Sequence, residues 1–564
     1  MAPSQTGRQN AREVQVAHFL EADLQPWAAA LAAALFALDA AQQPPAQSGS
    51  AAAAAGASSA AHRESAWRCL DQLRPLHGAV DAVFRASELP LLEQLPRTPA
   101  EWQPAAIGSR AVDDVLSLSY REAAACCSAM HSVHGVHTLT LGWFGSRASP
   151  MEADTGERAC TALAALSTLR TLRLGLDGQH GDTFPGALAP GLSRLAQLEA
   201  LKVYWEKHDA AALARPLGLL TTLTRLHLTV ADERTGALAS RLTCLSRLAE
   251  LELRGFSAAE VAPPLRTLTT LTSLSLGVVT AGTETLAAAV RHLSQLAALD
   301  ISEWRGRCVG GGAALAPAVG QLAALTFLGL NRSSLGADGV DALAAALAPL
   351  SRLAHLHLNS CDLEAAGAAA LARLLGTLTA LISLRLAYNE FGAAGAEALA
   401  PALRRLSRLA HLDLAGNWLG ADGVAALAPG IAPLTALTRL ALSSNHIGAG
   451  GAASLAPALS RLLRLADLPL YSNGIGATGA AALAPALGRL TALTVLYLFN
   501  NDLGDDGMQQ LAPALARLTR LRTLLLDDNG AHDSAVDALC ARLPASVWEA
   551  TDLHQERLLN ERDG

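Results

Sequence analysis

In the stretch HLDLAG, residues 411–416, Leu412 and Leu414 alternate with His411, Asp413 and Ala415. A period of two predicts a short strand with its leucines on one face and the other three residues facing solvent. The following GADGVAALAPGIAPL has apolar residues at helical spacing, which predicts a helix on the opposite side of the same coil. Gly420 and Gly423 permit the tight turn between the two. The unit then returns, as LALSSNHIGAGGAASLAPA from Leu440, LPLYSNGIGATGAAALAPA from Leu468 and LYLFNNDLGDDGMQQLAPA from Leu496.

Aligned on Leu-x-x-Leu-x-Leu-x-x-Asn-x-Leu, the asparagines fall at Asn389, Asn417, Asn445, Asn473, Asn501 and Asn529, each 28 residues after the last. Cys361 and Ser333 hold the same slot at the same spacing. Earlier units are irregular, 23 to 33 residues long, with Trp304, Val279, Phe256, Ala231, Glu206, Asp177 and Phe144 in the slot. That makes 15 units between about residues 133 and 530.

A single unit cannot fold alone, because burying its leucines does not offset the entropy of ordering the whole coil. Neighbours must cover each other's leucine faces and pair each other's strands. Strands stack ~4.8 Å apart and helices ~8–10 Å. An array of such coils therefore curves with its strands inside. The slot asparagine is expected to bond backbone groups left unpaired in the turn.

Pro401, Pro429, Pro457, Pro485 and Pro513 recur deep in the predicted helices. They predict a kink, or a second helical piece starting at the proline. The shortest unit, FSAAEVAPPLRTLTTL, is expected to lack a full helix.

These regular units resemble the leucine-rich-repeat family, and LG-x-x-G-x-x-x-LA after the asparagine is similar to its ribonuclease-inhibitor type. The resemblance implies an α/β solenoid of horseshoe form, with a parallel sheet on the concave face and helices on the convex one. It identifies a scaffold, and scaffolds host many functions.

Around the array, residues 1–40 predict a short Ala-rich helical segment and residues 41–63 a low-complexity linker. Residues 64–130 look helical, a cap for the first repeat of an array spanning 131–530, and residues 531–564 are expected to form the C-terminal cap and tail.

Composition narrows the function. The net charge of −7 lacks the basic footprint of a nucleic-acid binder. The only lysines, Lys202 and Lys207, do not follow glycine, so no P-loop can form and a nucleotide-gated switch is excluded. The cysteines (Cys69, Cys126, Cys127, Cys160, Cys244, Cys308, Cys361, Cys540) are too sparse for a disulfide framework, and the N-terminus lacks a signal peptide's apolar core. A cytoplasmic home is expected, with cilium or cytoskeleton as the alternative. Residues 309–331 carry no charge, but their glycines, Pro317 and Gln321 argue against membrane insertion.

Candidate chemistry is thin. His131, His134 and His137 follow Cys126 and Cys127, but adjacent cysteines do not suit one metal ion. His355 and His357 share a strand with His411 two strands on, yet Arg385 lies among them, which disfavours a divalent cation. Asp413, Asp467, Asp527 and Asp528 are acidic without an accompanying nucleophile or pocket. No catalytic residue, metal or cofactor is called for, and the chain reads as a non-enzyme.

Aromatic residues say more. Trp143, Tyr204, Trp205, Phe327, Tyr388, Tyr471, Tyr497 and Phe499 occupy solvent-facing strand positions, more than an even spread would place there. Exposed Tyr and Trp on a rigid surface serve protein interfaces as anchors. Arg332, His355, His357, Arg385 and Arg439 stand among them as polar partners. A constant frame with variable solvent-facing residues reads as a scaffold that binds a protein partner on its concave face. Two alternatives stand beside it. Residues 65–87 faintly resemble the second half of an F-box, which would imply a cullin-ligase adaptor, although the Leu-Pro-x-x-x-Leu opening is missing. Long repeats are also similar to the Ran GTPase activator, but its acidic tail has no counterpart in LHQERLLNERDG.

Overall fold

The computed structural model describes residues 115–119, 138–142, 169–176, 189–205, 210–230, 235–279, 282–303 and 311–543. The chain divides into two compact units, residues 1–255 and 256–564.

In the first unit the strands are β1 (Val115–Ser119), β2 (Thr138–Gly142), β3 (Thr171–Leu176), β4 (Ala200–Trp205), β5 (Arg225–Val230) and β6, which starts at Glu250. Each pairs in parallel with the next in chain order. β1 lies within the 64–130 stretch expected to be helical. Its VLSLS alternation is a strand pattern, and it continues the ladder one strand before the first predicted unit.

In the second unit the parallel order runs through β7 (Ser273–Val279), β8 (Ala298–Glu303), β9 (Phe327–Gly329), β10 (His355–His357), β11 (Ser383–Arg385), β12 (His411–Asp413), β13 (Arg439–Ala441), β14 (Asp467–Pro469), β15 (Val495–Tyr497) and β16 (Thr523–Leu525). Between residues 336 and 515 the strands alternate with twelve-residue helices, such as Gly392–Leu403 or Gly420–Ile431, and an eight-residue helix, Asp533–Cys540, follows the last strand. The sheet stays open. Each unit is a solenoid with strands on one side and helices on the other, and the leucines of both are buried between them. Leu412 and Leu414 are fully buried, as are their counterparts Leu440, Leu468 and Leu496.

Two expectations about this coil are corrected. Ala415 is buried, because the strand proper ends at Asp413 and the chain turns inward after Leu414. Gly423 lies inside a helix rather than in the turn. A Cβ there would stand 3.1 Å from Cα of Ala393, so its smallness serves close helix packing. Of the two glycines only Gly420 is left-handed, with φ of 63°.

The prolines neither break nor restart their helices. Pro401 is the tenth residue of an unbroken twelve-residue helix and faces solvent, as do Pro429, Pro457, Pro485 and Pro513. The carbonyl each would have engaged belongs to an exposed residue (Glu397 for Pro401), a position where the missing N–H costs least. The shortest unit also has a helix, Ala258–Leu265. Its capping box, between Ser257 and Glu260, satisfies the first turn before Pro263 and Pro264 are reached.

The asparagine slot forms a ladder through the second unit. Asn389, Asn417, Asn445, Asn473, Asn501 and Asn529 are all buried. Each side-chain oxygen accepts a backbone N–H 28 residues earlier, at 2.8–3.0 Å. Each amide nitrogen donates to carbonyls of its own coil and the preceding one, as Asn417 does to Leu414 and Leu386.

Candidate protein-binding surface

On the second unit, residues beside the core leucines line up in rows across the strands. One row holds Phe327, His355, Ser383, His411, Arg439, Asp467 and Val495. The parallel row two residues on holds Gly329, His357, Arg385, Asp413 and Ala441, and further along Pro469 and Tyr497.

Histidines and arginine meet at the centre of these rows. The His357 ring packs edge-on against Phe327, centroids 4.8 Å apart, and its Nε2 lies 3.3 Å from Ser383 Oγ. Burial first, and the adjacent Arg385 charge second, push the His357 pKa down to about 4. Burial and Arg385 lower His355 and His411 in the same order. All three rings are therefore neutral at pH 7. Among the described residues no group of three or more His, Cys, Asp or Glu is placed to hold a metal ion. One strand further, Arg439 forms an ion pair with Asp467.

The aromatic residues form a second group. Tyr388 is 54% exposed, and its ring lies over Gly416 of the next coil, where any Cβ would overlap it. Burial first, and the neighbouring Tyr471 second, raise its pKa. Tyr471 in turn stacks on Phe499, centroids 4.5 Å apart and planes 6° from parallel. A run of three aromatic side chains thus reaches from the coil of β11 to that of β15. Tyr497 sits in the lower row of β15 and is half-buried.

The turn after each strand explains where Tyr388 stands. Its slot is left-handed in every regular unit, and holds Arg332, Ser360, Tyr388, Gly416, Ser444, Ser472, Asn500 and Asp528. Arg332 is exposed there. Two residues on, the chain is left-handed again, and Trp418 occupies that slot with φ of 53° and 60% of its surface exposed. Sequence reasoning restricted to strand positions missed Trp418. The available signal was a bulky ring in a slot that other units give to Gly474, Gly530 or polar residues.

The remaining candidates lie elsewhere. Tyr204 is in the first unit, 44% exposed on β4, and Trp205 closes that strand in register with Val230. Trp143, the histidines at 131, 134 and 137, and the F-box-like residues 65–87 lie outside the described residues. Among the described residues no helix is long and apolar enough to cross a membrane, and residues 311–331 contain the helix Gly311–Val319 and strand β9.

A family model described as leucine-rich repeat matches residues 353–372, 377–400, 409–428, 434–456 and 490–512. These segments carry leucine-rich repeats. Among solved structures, the chain is similar to an internalin from Listeria monocytogenes, with 19% identity and a TM-score of 0.34, over 64% of this chain and 88% of that one. It is likewise similar to a leucine-rich-repeat protein from Leptospira interrogans, with 18% identity and a TM-score of 0.36, over 76% of this chain and 98% of that one. No curated protein matches the sequence.

Proposed function

We propose that this protein is a binding scaffold that holds a protein partner on the sheet face of its second unit. The observation that carries the reading is the aromatic run Tyr388–Tyr471–Phe499, pre-ordered by the seating of Tyr388 over Gly416 and by a ring stack, yet open to solvent at Tyr388. Rigid aromatic anchors lose little entropy on binding, which is why they dominate interface energetics. Arg332, Arg385 and Arg439 flank the run as polar contacts. The strict 28-residue spacing, with a three-residue strand and twelve-residue helix per unit, supports the ribonuclease-inhibitor type of repeat. The free exposed thiol of Cys244 fits a reducing compartment such as the cytoplasm.

The test is partner capture from lysate by the full chain and by Tyr388→Ser/Tyr471→Ala/Phe499→Ala. Each replacement is one that another unit already uses in that slot: Ser at 360, 444 and 472, Ala at 387 and 415. The fold is therefore expected to persist by circular dichroism while recurrent partners are lost. Undiminished capture would move the binding surface away from this face.

A further inference from the structure

We infer that Arg385, with His355, His357 and His411 around it, receives a carboxylate from an acidic segment of the partner protein. The inference rests on the sheet-face reading and specifies the chemistry of what binds there.

Arg385 is exposed, and among the described residues no carboxylate lies within ion-pair distance of its guanidinium. The neighbouring arginine on this face is different, since Arg439 is committed to Asp467. Asp413 is the obvious counter-ion, sitting beside Arg385 in the strand register. Its Oδ1 instead accepts the N–H of Ala415 at 3.1 Å, turned along its own strand. The protein has thus left a cation open on a chain of net charge −7.

Around that cation stand three rings able to take up protons. His355 and His357 come from β10 and His411 from β12, on either side of Arg385 in β11. All three sense the Arg385 charge. His357 is further fixed by Phe327 and Ser383. Other charged groups on the packed strands are Asp300 on β8, Asp413, and the Arg439–Asp467 pair, of which Arg439 also acts on His411.

The strip is short. It spans three strands, ~10 Å at the usual strand spacing, and the Arg439–Asp467 pair closes it on one side. That length suits one or two carboxylates, with Arg385 offering the planar fork that binds a carboxylate bidentately. Tyr388, three residues on in the same coil, would meet the rest of the segment. A bound carboxylate offsets the arginine's field, the second cause of the lowering after burial, so the histidines take up protons more readily than in the free protein and add to the attraction. Binding then tightens as pH falls from 7.5 to 5.5, a range in which Asp and Glu side chains stay ionised.

The probe is a displayed library of random twelve-residue peptides, selected on the full chain at pH 6.5. Its best sequence is then measured by fluorescence anisotropy. The expected result is enrichment of Asp or Glu at a fixed position. Affinity should drop about tenfold or more for Arg385→Ala, or when that residue becomes Asn or Gln, with partial recovery in Arg385→Lys. It should rise roughly threefold to tenfold between pH 7.5 and 5.5. Alanine is a structural match for the slot, since Ala441 holds it two units on. Enrichment without acidic residues, no enrichment at all, or equal binding by Arg385→Ala would overturn the inference. Peptides that ignore Arg385 but are lost in the Tyr388/Tyr471/Phe499 variant would sink this inference alone, whereas peptides indifferent to both variants would sink the sheet-face reading as well.

Discussion

The side-chain oxygen of Asn445 accepts the backbone N–H of Asn417, 28 residues earlier, at 2.9 Å. Its amide nitrogen donates to Leu414 O of that same earlier coil, and to Leu442 and Ser443 carbonyls of its own, at 2.9–3.1 Å. One fully buried side chain therefore closes its own turn and ties it to the preceding coil.

Replacing Asn445 by Ala strands a buried donor and several carbonyls, and is expected to cost about 2–4 kcal/mol. Asn445→Asp should cost more at pH 7. It keeps the acceptor, loses both donors, and puts an ionised carboxylate among three carbonyl oxygens. Denaturant unfolding at pH 7 and pH 4 separates the two, because protonation gives the introduced carboxylate back one donor. The gap between the variants should narrow in acid, and a gap independent of pH would contradict this account of the ladder.

Cys361 shows how far the slot tolerates another chemistry. Its Sγ lies 3.0 Å from Leu330 O, and burial pushes its pKa up to about 12. A thiol that holds its proton is a poor nucleophile. Under native conditions iodoacetamide should label the exposed Cys244 and spare Cys361, with labelling of Cys361 appearing only in denaturant. Peptide mass mapping reads both sites at once.

The frame was legible because its signals are local and repeated. Leu412, Leu414 and Asn417 each recur at fixed spacing, and a packed coil needs those residues where they fall. The misreadings came where solvent or a neighbouring coil decides. Pro401 reads as disruptive because the sequence does not tell that both it and Glu397, whose carbonyl it leaves without an N–H, lie on the exposed side of the helix. Ala415 reads as a strand residue facing out, but the three-residue strand stops before it. At the surface, Tyr388, Tyr471 and Phe499 each stand out singly in the sequence. That Tyr388 lies across Gly416 to reach Tyr471, three coils away, depends on side-chain direction, and that carries no periodic signature.

Glu364 offers a test of the turn geometry. It is left-handed, with φ of 51°, in a slot held elsewhere by Gly336, Gly392, Gly420, Gly448, Gly476 and Gly504. Nothing lies within 4 Å of where a Cβ would stand on those glycines, so a side chain there is strained only by the backbone. Glu364→Gly is expected to stabilise the protein by about 0.5–1 kcal/mol, and Gly420→Ala to destabilise it by about 1 kcal/mol. Opposite shifts in the unfolding midpoint would bear this out. Equal signs would mean that the slot is not governed by φ.

The histidine group makes stability depend on pH in a defined direction. His357 has a folded pKa of about 4, below the ordinary value of 6.5, so the unfolded chain takes up its proton first as the solution is acidified. Its contribution is complete above pH 6.5 and is lost as pH falls towards 4. His355 and His411 are lowered as well and act in the same sense. The free protein should therefore unfold at lower temperature at pH 5 than at pH 7.5. In His357→Ala that difference should be smaller, since alanine occupies the same slot at Ala441 without strain. An acidic peptide seated on Arg385 would work against the loss, because the anion favours the protonated rings in the folded state. Thermal melts at the two pH values, with and without a selected acidic peptide, should thus show stabilisation by the peptide that is greater at pH 5. If the peptide's effect is no greater at pH 5, the histidines do not sense what Arg385 binds.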